Sequence, residues 1–572
     1  MPVENFNFIE IGTSRTDERL RRISILLTIL ALLALSHSFL YAKFEIGYWG
    51  LVNGLPITFF VALALLVIAS ALLWVSREKH TKLLGLQLLI IILALALVPM
   101  ITGGSSQFIN HGYRNVGYVD YIVRQGHFDT QLTFYLSWPG AFVLASIIDI
   151  LCQIDFTPLI EILPFFFLPV LFIIPLYIFL KNILGESRSN YVWAGCLISS
   201  LAGGGGGGNI ISAGGAAAFL LMVTLALVTN RRLWHKEGNP FPIILLIVIA
   251  FTAMVACHLL TSLAALGLIA VLALVRRNTH LVLTAVVCLA VLMAWNLTVA
   301  GEFVIPRLPF IGEGGLIFDF SLLFEREITG HLLGSGAHID VAIMRIIHTA
   351  LFLLLGFVGF ISSLIVRRDL KSTISLVAIT VIPVPLVVLS GYYAEEILTR
   401  IYGFIVPGLA YFGTRLFDIN KKVIAAFLCL LLIIAIPIKL VAAYGNQELD
   451  YFSPGQRVGI FFFHDNVSQG MIFGAWPMGE VKNIENYIDF DLDSLRWYDD
   501  SLVIPPWLKK YESSYISISR QDRAKYEWFQ GDTEFIDNLE QNLQDMVGIN
   551  YIYYNPDLQL YIYEVDEAAE GG

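Results

Sequence analysis

Long apolar segments separated by loops of alternating charge leave this chain few ways to fold. The basic loops hold Arg21-Arg22, Arg77 with Lys79 and Lys82, Lys181 and Arg188, Arg231-Arg232, Arg276-Arg277, Arg367-Arg368 with Lys371, and Lys421-Lys422. A bilayer span needs about 20 mostly apolar residues. Candidates lie near 24–42, 52–75, 83–101, 158–180, 190–203, 213–230, 241–259, 261–275, 281–298, 346–366, 373–390, 398–416 and 423–442, which makes thirteen. Cytoplasmic loops are rich in Lys and Arg. With the N-terminus inside, every basic pair falls on the cytoplasmic side and the tail from about 444 lies outside.

Composition agrees with a polytopic membrane protein. Hydrophobic residues make up 57% of the 572 and charged ones 14%, against about 25% charged in a soluble domain. The net charge is −10, and residues 444–572 alone carry 23 acids and 8 bases. An acidic tail is ill suited to nucleic acid. The first apolar run is too long for a signal-peptide core and lacks a small-residue cleavage site, so it reads as a retained anchor. The five cysteines lie in or beside apolar segments and none in the tail, against a disulfide framework or a structural zinc site. The apolar stretch Ser137–Gln153 would reverse every later basic pair if it crossed. It therefore reads as a re-entrant or interfacial helix at the outer face, a better place for Asp149 than lipid.

The expected organisation is an all-α polytopic membrane part over 1–443, with outer loops 102–136 and 300–345, and a small α+β extracytoplasmic domain over 444–572. In the tail, Tyr515–Ser519, Asn550–Tyr554 and Leu558–Val565 alternate as strands. Asn555-Pro556-Asp557 reads as the turn between the last two. Asp522–Leu543 has a helical period.

Four polar regions are candidate sites. The loop 102–136 holds His111, Arg114, Asn115, Tyr118, Asp120, Arg124, His127 and Asp129, then Tyr135 and Trp138-Pro139-Gly140. Carboxylates there can serve as general base or hold a metal, and Arg or His can neutralise a phosphate. An ordinary solvated loop is the alternative. Glu396 and Arg400 stand four apart at the start of a span, where they share a helix face. Charges in spans persist where they face protein or a site, so anion binding and a structural ion pair both suit them. His258 and Thr261, in His-Leu-Leu-Thr-Ser, form a polar tip on a tight helical hairpin, either a ligand contact or a hydrogen-bonded turn. The loop 300–345 has many charges but no ligand spacing.

Three further patterns carry less. Gly203–Gly208 is followed by Asn209-Ile210, which excludes a P-loop. Asp489-Phe490-Asp491-Leu492-Asp493 resembles a metal-nucleotide motif but reads as an acidic outer turn. Asn296-Leu297-Thr298 and Asn466-Val467-Ser468 are glycosylation sequons.

These residues together resemble the GT-C superfamily of integral-membrane glycosyltransferases, in particular its archaeal members. The resemblance rests on Tyr118-Val119-Asp120-Tyr121-Ile122-Val123-Arg124-Gln125-Gly126 with Tyr135 and Trp138-Pro139-Gly140, on His258–Ser262, on Glu395-Glu396 with Arg400, and on the span pattern. It covers the whole chain loosely. It implies a polyprenyl-phosphate-linked sugar as donor and a glycan, lipid or protein acceptor at the outer face. It also implies a first-loop acid as base or metal ligand, possible use of divalent Mg or Mn, and basic residues on the lipid phosphate. Asp120 is the first candidate for base, then Asp129 and Glu161. Arg400, Arg114 and His258 are the candidates for phosphate. The family commonly has Asp ten residues before the tyrosine matching Tyr121; His111 stands there in this chain, and Asn115 where His is frequent. Two other readings are a lipid or solute transporter or flippase, and a catalytically inactive relative that binds glycolipid. The clustering of polar residues at outer helix ends, with no internal repeat, speaks against the transporter.

Overall fold

The structure, a computed structural model, describes residues 8–102, 110–153, 171–203, 212–234, 238–307, 336–366, 370–384, 397–467, 471–474, 490–491, 513–530, 534–546 and 548–564. Leaving single turns unlabelled, its membrane part runs α1 (Phe8–Tyr41), α2 (Ile57–Trp74), α3 (Thr81–Ala96), α4 (Asn110–Gln125), α5 (Gly140–Cys152), α6 (Leu171–Leu184), α7 (Ser189–Ala202) and α8 (Ala213–Val228). It continues through α9 (Phe241–Cys257), α10 (Leu259–Arg276), α11 (Thr279–Leu297), α12 (Ala337–Val366), α13 (Leu370–Val381), α14 (Ile397–Arg415) and α15 (Lys421–Tyr444). Each expected span coincides with one of these helices over its described residues. Six described helices are long and apolar enough to cross a bilayer on their own. The fold is polytopic and helical, and the protein is a multi-pass membrane protein.

Turn chemistry starts these helices where the basic loops end. Asn278 accepts from the backbone N–H of His280 and Leu281 at the start of α11, and Asn420 from Lys422 and Val423 at the start of α15. Such caps satisfy donors that have no partner within the helix. Close packing then joins the helices. A Cβ on Gly359 of α12 would stand 2.0 Å from the Phe412 carbonyl oxygen of α14, so only glycine permits this crossing. Pro407 interrupts the hydrogen-bond ladder of α14 at mid-length.

Buried polar groups inside the bundle are satisfied locally. Gln87 donates to Ser24 and Thr28 and accepts from Ser70, each at 2.9 Å. Lys439 of α15, buried, donates to the carbonyls of Leu201 at 3.1 Å and Gly203 at 2.5 Å, and His348 of α12 lies 2.9 Å from the Leu201 oxygen. These two residues supply donors at the end of α7, where the last carbonyls of a helix have no partner within it.

Chain direction sorts the bundle into two ends. Trp74, Ser189, Arg415 and Lys421 gather at one end, together with Arg77, Lys79 and Arg188. Cys257, Arg400 and Tyr444 lie at the opposite termini of their helices. The tail follows Tyr444 on that second end. There, Asn446 lies 3.3 Å from His338 at the start of α12, and the His338 ring lies 6.1 Å from Trp528.

The tail comprises α16 (Pro454–Asn466), β1 (Met471–Gly474), β2 (Phe490–Asp491), β3 (Ser513–Ser519), α17 (Arg520–Lys525), α18 (Phe535–Asp545), β4 (Ile549–Asn555) and β5 (Leu558–Glu564). The sheet order is β2-β1-β3-β5-β4. β1 is parallel to β2 and β3, and β5 is antiparallel to β3 and β4. Ile516 and Ile518 of β3, Leu539 and Leu543 of α18 and Tyr561 of β5 form its core. A bidentate pair from Arg520 to Glu448, at 2.8 and 3.0 Å, ties it to the chain leaving α15. The three expected strands are present, with Pro556 and Asp557 in the turn. Strands β1 and β2 and helix α16 were not foreseen. β1 has four residues and β2 two, too few for alternation to register.

Candidate functional site

The described part of the segment 102–136 is not an open loop. Asn110–Gln125 folds as helix α4 because Tyr118, Val119 and Ile122 recur at helical spacing and need a partner surface. They find it on α5 and the turn before it, where Leu136, Phe142 and Ala145 complete a small separate core, with Ala213 of α8 packed against it. Tyr118 is fully buried, its ring 5.1 Å from Phe142 and 5.8 Å from Tyr135. Its place is in this core, holding α4 on α5.

Helix α5 has 13 residues, and the expectation for it is an interfacial rather than a spanning helix. Its outward face bears Leu144, Ile147, Ile148 and Leu151. Its first residue meets α9 closely: a Cβ on Gly140 would lie 3.0 Å from the backbone of Ala256. The indole of Trp295 donates to the Ser137 carbonyl at 3.2 Å. Glu302 accepts from Thr130 and Gln131, and Phe303 packs on Phe134 and Trp138. The α4–α5 unit is thus seated on α8, α9 and α11.

Two residues beyond Ala256 stands His258, the N-cap of α10, 7% exposed. Its Nδ1 lies 2.9 Å from Thr261 Oγ1, and Arg400 Nη1 donates to its Nε2. A nitrogen that accepts from guanidinium carries no proton. Its Nδ1 accepts the Thr261 backbone N–H at 3.3 Å, the cap that starts α10. Arg400, in the first turn of α14, also touches the start of α8: a Cβ on Gly214 would lie 3.2 Å from its Nη1. Gly214 follows Ala213, which packs on the α4–α5 core. The structure therefore gathers His258, Thr261, Arg400 and the α4–α5 unit at one end of the bundle.

The remaining predicted residues divide. Arg114 donates to the Tyr135 hydroxyl at 3.1 Å and lies 4.5 Å over that ring. Asn115 is buried on α4. Asp120 accepts from Arg124 at 2.8 Å, both side chains about a third exposed. Asp129 caps the Gln131 N–H at 2.8 Å. His111 lies in α4, with its side chain outside the described residues. Glu161, Glu396 and most of 300–345 also lie outside them, as do all but Phe490 and Asp491 of the acidic turn. Asn296 is buried and bonds Leu292 within α11, so that sequon cannot present its amide. Sequence reading missed Gly214, whose lack of a side chain makes room for Arg400. It also missed Lys439 and His348, which look like isolated polar residues in apolar runs.

The expected divalent metal has no donor cluster among the described residues. Among the described residues no three His, Cys, Asp or Glu side chains converge. Asp120, Asp129 and Glu302 are each engaged by a hydrogen-bond donor of the protein.

No family model and no curated protein matches the sequence. Solved structures do. The chain is similar to the archaeal oligosaccharyltransferase AglB of Archaeoglobus fulgidus in complex with an inhibitory peptide and a dolichol-phosphate, with TM-score 0.50 at 14% identity over 84% of this chain and 74% of that one. Two looser likenesses are the Archaeoglobus fulgidus oligosaccharyltransferase with Zn and sulfate, with TM-score 0.48 at 13% identity over 82% and 72%, and ArnT of Cupriavidus metallidurans bound to undecaprenyl phosphate, with TM-score 0.49 at 10% identity over 84% and 98%.

Proposed function

We propose that this chain, whose fold is that of the GT-C membrane glycosyltransferases, transfers a sugar from a polyprenyl-phosphate-linked donor to an acceptor outside the cytoplasm. The observation that carries the reading is the His258–Arg400 contact. Residues 142 apart in sequence are brought together where helices end and the α4–α5 unit begins. A lipid-linked donor has its chain in the bilayer and its sugar in water, so its reacting bond lies at that level. The AglB structure with a dolichol-phosphate supports a polyprenyl-phosphate ligand for this fold. The acceptor class, whether glycan, lipid or protein, is set by the experiment below.

In the proposed reaction, the acceptor's nucleophilic atom attacks the anomeric carbon of the sugar. The bond from that carbon to the phosphate oxygen breaks, and its electron pair leaves with the lipid phosphate. The acceptor's proton passes to the Asp120 carboxylate, which Arg124 orients. Asp129 and Glu161 are the other candidates for this role. Arg400 meets the charge that grows on the leaving phosphate with a planar set of N–H donors, and His258 fixes the guanidinium. Arg114 and Asn115 line the helix that would face the donor. Transmembrane residues 1–443 would supply this site, and residues 444–572 an outer domain beside it.

Reconstituted vesicles carrying a panel of polyprenyl-phosphate sugars and candidate acceptors test this. Wild type is expected to transfer one of the sugars, Asp120→Asn and Arg400→Ala to lose it. Equal transfer by all three removes the site assignment. Absence of transfer with every donor favours an inactive, glycolipid-binding relative, which His111 at the family's Asp position would fit.

A further inference from the structure

The opposite end of the bundle holds a cleft of about 470 Å³. Its cations are Arg77, Lys79, Arg188 and Lys421, against the acids Glu78 and Asp418. Asp418 is engaged by Arg188 at 2.7 Å and also by Arg415 at 3.0 Å, so the lining keeps an excess of positive charge. The cleft is rigidly built. Buried Asn190 donates to the carbonyls of Leu73 and Glu78 at 3.0 and 2.8 Å and accepts from the His80 N–H. Asp17 accepts from Ser76 and from the Arg77 N–H. Tyr191 stacks flat on Phe417, centroids 4.4 Å apart, and forms one wall with it.

Two further features favour an anion. Helices α3 and α7 both begin beside the cleft, with Thr81 and Ser189 hydroxyls 2.9 Å apart. Neither helix has a side-chain cap from its N-cap residue, so two positive dipole ends are directed here. Trp74, 1% exposed, lines the cleft, and among the described residues its buried indole N–H has no acceptor. Trp74 is the last residue of α2, and Ser189 and Lys421 are the first of α7 and α15. The cleft therefore sits at the level of lipid headgroups, where basic pockets between spans recognise anionic lipids.

We propose that this cleft binds the phosphate group of an anionic ligand, drawn either from a membrane lipid headgroup or from a soluble phosphate. It is separate from the transfer site, and the proposal does not depend on that function.

The test follows the thermal midpoint of the full chain in neutral detergent at physiological salt, titrated with short-chain phosphatidylglycerol, short-chain phosphatidylcholine or inorganic phosphate. Ligand binding to the folded state raises the midpoint. A saturable rise with phosphatidylglycerol alone identifies a lipid headgroup as the source, and an equal rise with inorganic phosphate identifies a soluble one. In either case, Lys79→Gln combined with Lys421→Gln, two exposed positions, raises the half-saturating concentration about tenfold. Trp74→Phe, which keeps the ring and loses the N–H, raises it by a smaller factor. Lys422→Gln, exposed and outside the cleft, leaves it unchanged. No saturable rise, an equal rise with phosphatidylcholine, or an equal loss in Lys422→Gln would overturn the proposal.

Discussion

Helix α14 carries an arginine near each end, and the two are treated differently. Arg415 meets a carboxylate, Asp418, which Arg188 of a distant segment also engages, and all three are largely buried. Arg400 meets the imidazole of His258 and the bare backbone at Gly214. A carboxylate pairs charge with charge, whereas an imidazole accepts the N–H through a ring nitrogen. The first arrangement holds helices together. The second places an arginine where α8, α10 and α14 meet beside the α4–α5 unit.

The contrast can be broken at either end. Arg400→Ala should lower sugar transfer by about 10²–10³-fold, the usual cost of removing one donor to developing negative charge, with the thermal midpoint little changed. A large fall in midpoint with transfer intact would make Arg400 a structural residue like its counterpart. Asp418→Ala should do the reverse. Leaving Arg188 and Arg415 without their shared carboxylate costs about 3 kcal/mol, read as a lower unfolding midpoint, while transfer per folded molecule persists.

Glycine substitutions sharpen the same distinction. Gly359→Ala forces a Cβ onto the Phe412 carbonyl and should cost about 2 kcal/mol of stability by overpacking, measured by thermal unfolding. Gly214→Ala presses only on the mobile end of a side chain at 3.2 Å. It should leave stability nearly unchanged and slow transfer about tenfold by displacing the guanidinium; transfer at the wild-type rate would separate Gly214 from the site. The smallest effect lies in the tail. Ser519 caps α17 and shares a reciprocal capping box with Asp522, and Ser519→Ala should cost about 1 kcal/mol in unfolding, with transfer unaffected.

How much of this was legible in sequence follows from the range of each signal. Apolar length is a local property, and every expected span is a helix where described. Alternation over seven residues revealed β3, β4 and β5. Helix α4 was taken for a loop because His111, Arg114, Asn115 and Asp120 hid a buried stripe that only its packing on α5 explains. Asp120 and Arg124 pair as neighbours on one helix turn, yet their partnership was not foreseen because no helix was. The meeting of His258 with Arg400 was expected on the basis of topology and family resemblance, and the structure brings the two together. Gly214 had no signal at all, since a missing side chain matters only once a neighbour is known. Lys439 was invisible for the same reason: its acceptors lie 238 and 236 residues away.

That last separation bears on how the molecule is made. α15 is the final helix of the membrane part to leave the ribosome, and its ammonium group closes an end of α7 synthesised long before. Until then the carbonyls of Leu201 and Gly203 lack their lysine donor. Insertion of the early helices is therefore provisional, and a chain cut short before residue 421 would leave its seventh helix with an unfinished terminus for quality control to find.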